Sequence, residues 1–259
     1  MIMEKVKIID TTPDNILEYG ICGYKNIKRP GYPEKIEWLQ DRFREGLKIK
    51  TLVSEDGGTQ GMIETIPGEY CWRPVEARGT MFIHCLFVGF KRAYKGKGYA
   101  SMLLDECEND AKKSHMHGVA VVTRKGSFMV GKEIFLKRDY KVVDEAPSDF
   151  ELLVKKFDDK ASPPKFRGDW DGRRNQYGKG LTIIRAYQCP YTVKNVNEIC
   201  ESAEKEFGIK PKVITLQSYR DAQESPCPFG IFCMIYDGEM IAEHPISNTR
   251  FMNIMNKLM

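Results

Sequence analysis

Val88-Gly89-Phe90-Lys91-Arg92-Ala93-Tyr94-Lys95-Gly96-Lys97-Gly98-Tyr99-Ala100-Ser101-Met102-Leu103-Leu104 carries an apolar run into a Gly/Lys turn and opens a helix. The first N–H groups of a helix have no intrahelical partner, and the macrodipole places about half a positive charge there, so anionic oxygens dock at such a start. Gly96 and Gly98 remove side chains that would hold a diphosphate away from those amides, and Lys91, Arg92, Lys95 and Lys97 surround them with positive charge. Upstream, residues 80–88 form a strand-like run of β-branched and aromatic residues. Downstream, Ala100, Leu103, Leu104, Cys107 and Ala111 recur at helical spacing. The order is strand, phosphate turn, helix. Two other phosphate motifs are excluded: the chain has no Gly-x-x-x-x-Gly-Lys-Ser/Thr, and no full Gly-x-Gly-x-x-Gly followed by an acidic ribose ligand.

Lys95-Gly96-Lys97-Gly98-Tyr99-Ala100 resembles the acetyl-CoA pyrophosphate signature Gln/Arg-x-x-Gly-x-Gly/Ala of the GNAT family of N-acetyltransferases, with lysine in the place of Gln/Arg. The resemblance extends over residues 1–156 and is strongest over 80–145, where 118–123 suits the next strand and 127–138 the family's last helix. It implies an α/β (α+β) fold in which helices flank a mixed sheet. The coarse pattern agrees: strands near 5–9, 47–54, 60–66, 80–88, 118–123, 141–144 and 149–156, and helices near 14–22, 34–46, 99–113 and 127–138. Ser54-Glu55-Asp56-Gly57-Gly58 is a hairpin signal.

Residues 157–180 change character. Turn formers and charge dominate, and Phe166, Trp170 and Tyr177 indicate a connection lying on a domain surface. A second pattern occupies 181–259: a strand at 181–187, a helix to about Phe207 closed by Gly208 and Pro211, a strand at 213–217, a hairpin at Asp237-Gly238 between strands at 230–236 and 239–243, and a last helix from Thr249. This order resembles a minimal thioredoxin or glutaredoxin fold, and Cys189-Pro190-Tyr191-Thr192 stands where glutaredoxins carry Cys-Pro-Tyr-Cys. Thr192 replaces the resolving cysteine. Cys189 is therefore either a single thiol activated by a helix start or a small buried sulfur. The resemblance also implies a cis peptide at Pro228 or Pro226. The pairing of the two halves resembles the bacterial YoaP-like group of acetyltransferases.

A net charge of +4 spread along the chain gives no basic tail for nucleic acid. No apolar run reaches the roughly 18 residues of a membrane span, and the opening residues read as a strand, which gives the expectation of a cytoplasmic protein without membrane contact. The eight cysteines and four histidines show no paired metal spacing, so free thiols and no metal are expected. The oligomeric state leaves no mark in the sequence.

The resemblance implies acetyl transfer from acetyl-CoA to an amine of a small molecule or peptide. That chemistry needs a fixed thioester, a donor for the oxyanion and an acceptor for the amine proton. Backbone groups of Leu86, Phe87 and Val88 fall at the family's positions for the pantetheine arm, and Lys95, Gly96, Lys97, Gly98, Tyr99 and Ala100 at those for the diphosphate. The family's usual tyrosine acid corresponds to Phe135. The candidate base is His84, whose residue type titrates near neutrality; Glu64 on the neighbouring strand and Glu69 and Glu76 in the following loop are further candidates, either as proton acceptors through water or as anchors for a cationic acceptor. Tyr70 and Trp72 are candidate walls of an acceptor cleft. His84 could equally be a histidine bonded within the sheet, and the two aromatics a cover over its edge. The other function class the residues allow is a CoA-sensing or thiol-redox binding protein acting through its C-terminal half.

Overall fold

The computed structural model describes residues 6–22, 26–55, 58–89 and 94–259. The chain divides into two compact units that are not contiguous in sequence: Met1–Arg29, Leu39–Cys71 and Val75–Phe166 form one, and Pro30–Trp38, Trp72–Pro74 and Arg167–Met259 the other. Against boundaries expected at 156 and 181, two short upstream segments thus group with the C-terminal residues.

In the first unit, β1 (Val6–Thr11), β2 (Lys48–Ser54), β3 (Thr59–Pro67), β5 (Met81–Val88), β6 (Gly118–Thr123), β7 (Lys141–Ala146) and β8 (Phe150–Lys156) form one sheet, ordered β1-β2-β3-β5-β6-β8-β7. A two-residue strand, β4 (Val75–Glu76), pairs separately with β9 (Lys165–Phe166). Among the described residues, β5 and β6 run parallel and the other pairs in the large sheet are antiparallel. The sheet is therefore mixed. The apolar run of β6 is buried at every residue, as a strand covered on both faces requires, and the middle of β3 is buried with its Gln60, Glu64 and Thr65. The helix α3 (Tyr99–Lys113) lays Leu103, Leu104, Cys107 and Ala111 against Leu52, Ile63, Ile83, Val119, Val121 and Leu153. Glu108, nearly buried on this helix, is held by Arg138 at 3.2 Å and Lys155 at 2.8 Å, which offsets the cost of its burial.

Three local readings need correction. The helix expected over 127–138 is confined to α4 (Glu133–Leu136), because Gly126 at φ +116° and Phe128 at φ +68° turn the chain through left-handed conformations that no helix admits. The helix expected over 14–22 is the single turn α1 (Ile16–Tyr19), stopped by Gly20 at φ +73°. The stretch read as a connection carries structure: β9 is anchored by the Phe166 N–H on Asp144 Oδ2 at 2.7 Å, and α5 (Trp170–Arg174) follows it. At the β2–β3 hairpin, Asp56 and Gly57 lie outside the described residues.

In the second unit, β10 (Leu181–Arg185), β11 (Lys212–Thr215), β12 (Phe232–Tyr236) and β13 (Glu239–Ala242) form a sheet ordered β11-β10-β12-β13, with β10 parallel to β11 and the other pairs antiparallel. The helix α2 (Tyr32–Arg44) begins within this unit. Helix α6 (Tyr191–Phe207) connects β10 to β11 and ends at Gly208 in the left-handed conformation. Val193, Val196, Ile199 and Ala203 form its buried face. Helix α8 (Asn248–Leu258) buries Phe251 and Met255, and its Phe251 ring meets Phe207 edge-on at 6.1 Å. Asp237 and Gly238, at φ +48° and +86°, make the tight turn between β12 and β13. A short helix, α7 (Tyr219–Gln223), starts from a reciprocal Ser218–Asp221 capping box that the sequence reading passed over. No peptide among the described residues is cis, which corrects the expectation at Pro226 and Pro228. The reversal there is made by Gly230 at φ +78°, whose N–H reaches Cys227 O at 2.9 Å, so the turn closes with trans prolines.

Candidate active site

Strands β3 and β5 pair in register until Glu64 faces Cys85, after which Thr65 faces Ile83. His84 is the extra residue of that bulge. A bulge kinks its strand and re-aims a side chain, and here it brings His84 Nδ1 to 3.3 Å from Glu64 Oε1. Both side chains are sealed from solvent, at 0% and 1% exposure. A buried carboxylate is costly unless hydrogen-bonded. Because a carboxylate can only accept, the pairing calls for a proton on Nδ1. Phe82 packs edge-on against the imidazole at 6.0 Å and fixes its plane.

β5 pairs with β6 through Met81, Phe82 and Ile83 and then runs on to Val88. The two strands part beyond the bulge, with Leu86, Phe87 and Val88 on the parting segment. Leu86 is buried, and Phe87 and Val88 are half-buried. The backbone at Phe87 is approached closely by Gly61 on β3, where a Cβ would lie 2.7 Å from Phe87 O.

The turn into α3 is open. Gly96 and Gly98 have φ of +69° and +80°, and a Cβ built at either meets nothing within 4 Å. Gly98 is the N-cap residue and supplies no side chain to the first amides, while its carbonyl accepts the Met102 N–H at 3.1 Å. Lys95 is exposed, and Lys97 and Ala100 are half-buried. Tyr94 and Tyr99 are buried with ring centroids 6.0 Å apart, so Tyr99 serves the core with its side chain and leaves the turn only its backbone. Lys91 and Arg92, with Phe90 and Ala93, lie outside the described residues.

The other candidates fall elsewhere. Glu76 is exposed on β4 and paired with Lys165 at 3.2 Å, on a different sheet from the Glu64–His84 pair. Glu69 is exposed and Tyr70 half-buried on a single 3-10 turn. Trp72 has no exposed surface; it belongs to the second unit, its ring edge-on to Trp38 at 5.1 Å. Phe135 is fully buried against Tyr140 at 5.4 Å. Burial, with the charge of Glu108, raises the Tyr140 phenol well above its usual range.

Cys189 is half-buried. Its carbonyl accepts both the Thr192 hydroxyl at 2.8 Å and the Thr192 N–H at 3.2 Å, so Thr192, itself fully buried, closes the first turn of α6. Among the described residues, no cluster of three or more His, Cys, Asp or Glu side chains could hold a metal ion, and no helix is long and apolar enough to cross a membrane.

Comparison with known proteins adds the following. Residues 18–127 match the model of the acetyltransferase (GNAT) family, and residues 212–253 match a YoaP-like family model. The chain is 31% identical over 254 residues to the uncharacterized N-acetyltransferase YoaP of Bacillus subtilis (strain 168), covering 96% of this chain and 98% of that protein. Among solved structures, the PaiA N-acetyltransferase of Thermoplasma acidophilum in complex with coenzyme A is 19% identical at a TM-score of 0.41. It covers 59% of this chain and 99% of its own. The Escherichia coli GNAT family N-acetyltransferase YhbS in complex with CoA is 12% identical at a TM-score of 0.40, covering 63% of this chain and 90% of its own.

Proposed function

Because the chain belongs to the GNAT family of N-acetyltransferases, we propose that it moves the acetyl group of acetyl-CoA to a primary amine of a small molecule or peptide, by direct attack of the amine on the thioester. The observation that carries this reading is the buried Glu64–His84 pair at the β5 bulge, next to the strand segment that leaves β6. The bare turn into α3 fits the diphosphate: two left-handed glycines have open space where side chains would stand, and Lys95 and Lys97 add charge.

When bound, acetyl-CoA supplies a carbonyl open to nucleophiles and a thiol leaving group. The residues of this chain supply the rest. Backbone groups of Leu86, Phe87 and Val88 hold the arm along the parted strand and polarise the carbonyl oxygen, a role any residue type can fill. His84 is the base for the proton of the attacking amine, and Glu64 holds Nδ1–H in place and stabilises the imidazolium that results. Phe135 has no proton to give, and its buried ring keeps water from that side of the core. An alkyl thiol ionises near pH 8.5, roughly two units above an imidazole, so the leaving group needs little help. Glu76 and Trp72 have no part in this scheme.

We read the C-terminal unit as thioredoxin-like, on the support of its strand order and of helix α6 between parallel β10 and β11. Thr192 denies its loop a second thiol.

Release of CoA thiol from acetyl-CoA, followed with a disulfide reagent across a panel of primary amines, tests the function. At least one amine is expected to drive release; binding of CoA with no release on any amine contradicts it.

A further inference from the structure

The loop that enters α6 and the turn that enters β12 both meet chain from far upstream, within the same compact unit. Arg73, only 3% exposed, donates from Nη1 to Gln188 Oε1 at 3.0 Å and to Trp72 O at 2.7 Å, and its guanidinium stands 5.1 Å over the Phe229 ring. At Gly230 the segment passes backbone to backbone: a Cβ there would lie 2.8 Å from Trp72 O, 2.9 Å from Arg73 Cα and 3.1 Å from Pro74 Cδ. Pro74 O accepts the Arg167 N–H at 2.9 Å. On the far side of Cys189, Gly31 presses on Pro190 so closely that a Cβ would sit 1.9 Å from the Pro190 carbonyl oxygen. Residues on both sides of Cys189 are thus engaged by the chain itself.

We propose that the Gln188, Phe229 and Gly230 surface of the C-terminal unit is a receptor for the chain's own Trp72-Arg73-Pro74 segment, with Arg73 as the positioning residue. The surface is a seat for an internal peptide. The recognition is of two kinds. Gly230 admits main chain where any side chain would stop it, and the forked guanidinium reads an amide oxygen on one edge and an aromatic face on its plane. Burying a cation is costly unless its donors are used, so the segment is held only in the register that brings Arg73 to Gln188. The segment lies in the connection between β3 and β5, the strands that carry Glu64 and His84. The seat does not rest on the acetyltransferase reading above.

Hydrogen exchange read by mass spectrometry on the full chain tests the seat. Gln188→Ala removes one partner of Arg73 and Gly230→Ala wedges the backbone; because alanine at φ +78° is itself strained, the milder Gln188→Ala keeps the test valid if Gly230→Ala misfolds. Amides of 68–79 are expected to exchange about tenfold faster in Gln188→Ala, the loss of a hydrogen bond to a charged group, while those of α3 keep the wild-type rate. Wild-type exchange over 68–79 in Gln188→Ala overturns the proposal. If the wild-type protein releases no thiol on any amine, the acetyltransferase reading fails, and the exchange result still decides the seat.

Discussion

The molecule contains two strand–turn–helix passages built on the same local physics, and they meet opposite ends. In β5–turn–α3 the helix begins at Gly98, with space around both glycines and an exposed lysine beside them. In β10–turn–α6 the helix begins after Pro190, with Gln188 and Thr192 buried, Thr192 folded back on the Cys189 carbonyl, and Gly31 pressed on Pro190. Both helix starts carry the same dipole. One start stands open, and the other is filled from inside the protein. A helix start is thus a binding site only where nothing in the fold already fills it.

The largest expected effect sharpens that contrast on the open side. His84→Ala is expected to lower kcat by about 10²–10⁴, the usual worth of a positioned base, with acetyl-CoA affinity held within about twofold; Glu64→Gln falls between that variant and the wild type. Steady-state thiol release measures both. The matching change in the filled passage, Cys189→Ser, is expected to leave kcat within about twofold, and a fall as deep as that of His84→Ala would erase the distinction.

A middle-sized effect concerns the absent acid. Since Phe135 is fully buried against Tyr140, Phe135→Tyr places a hydroxyl in the core and is expected to cost about 1–3 kcal/mol in denaturant unfolding without raising kcat. A gain in kcat would return the acid to this position.

The smallest effect is in alkaline solution. The Tyr140 phenol is raised in the folded state, chiefly by burial, so the folded protein holds its proton to higher pH than the unfolded chain does. Stability linked to Tyr140 is therefore whole below the unfolded value of about 10 and is lost as pH climbs above it. Unfolding midpoints measured from pH 9 upward are expected to fall less steeply in Tyr140→Phe than in the wild type.

How much was legible follows from where each signal resides. Helix α3 was read at its observed ends because Gly98 and the spacing of Leu103, Leu104, Cys107 and Ala111 are local. His84 and Glu64 could be marked as candidates from residue type, yet the bulge that brings them together is a property of the pairing between two strands and leaves no trace in either. The helix expected over 127–138 failed for a related reason: the left-handed Phe128 is dictated by surroundings that its own stretch does not reveal. Glu76 looked available because charge alone does not show that Lys165, far along the chain, lies opposite. The grouping of 30–38 and 72–74 with the C-terminal unit was hidden altogether, since what marks Gly31 and Gly230 is the backbone packed beside each, which the local sequence does not show.

The claim on which the rest depends is that the amides opening α3 grip the diphosphate of coenzyme A. Titration calorimetry of CoA into wild-type protein and Gly98→Val measures it most directly, because valine cannot hold φ +80° and fills the open space with a branched side chain. We predict a Kd for CoA at least about tenfold higher in the variant, about 1.4 kcal/mol of lost binding. Equal affinity in the two proteins, with α3 intact by circular dichroism, would contradict the account.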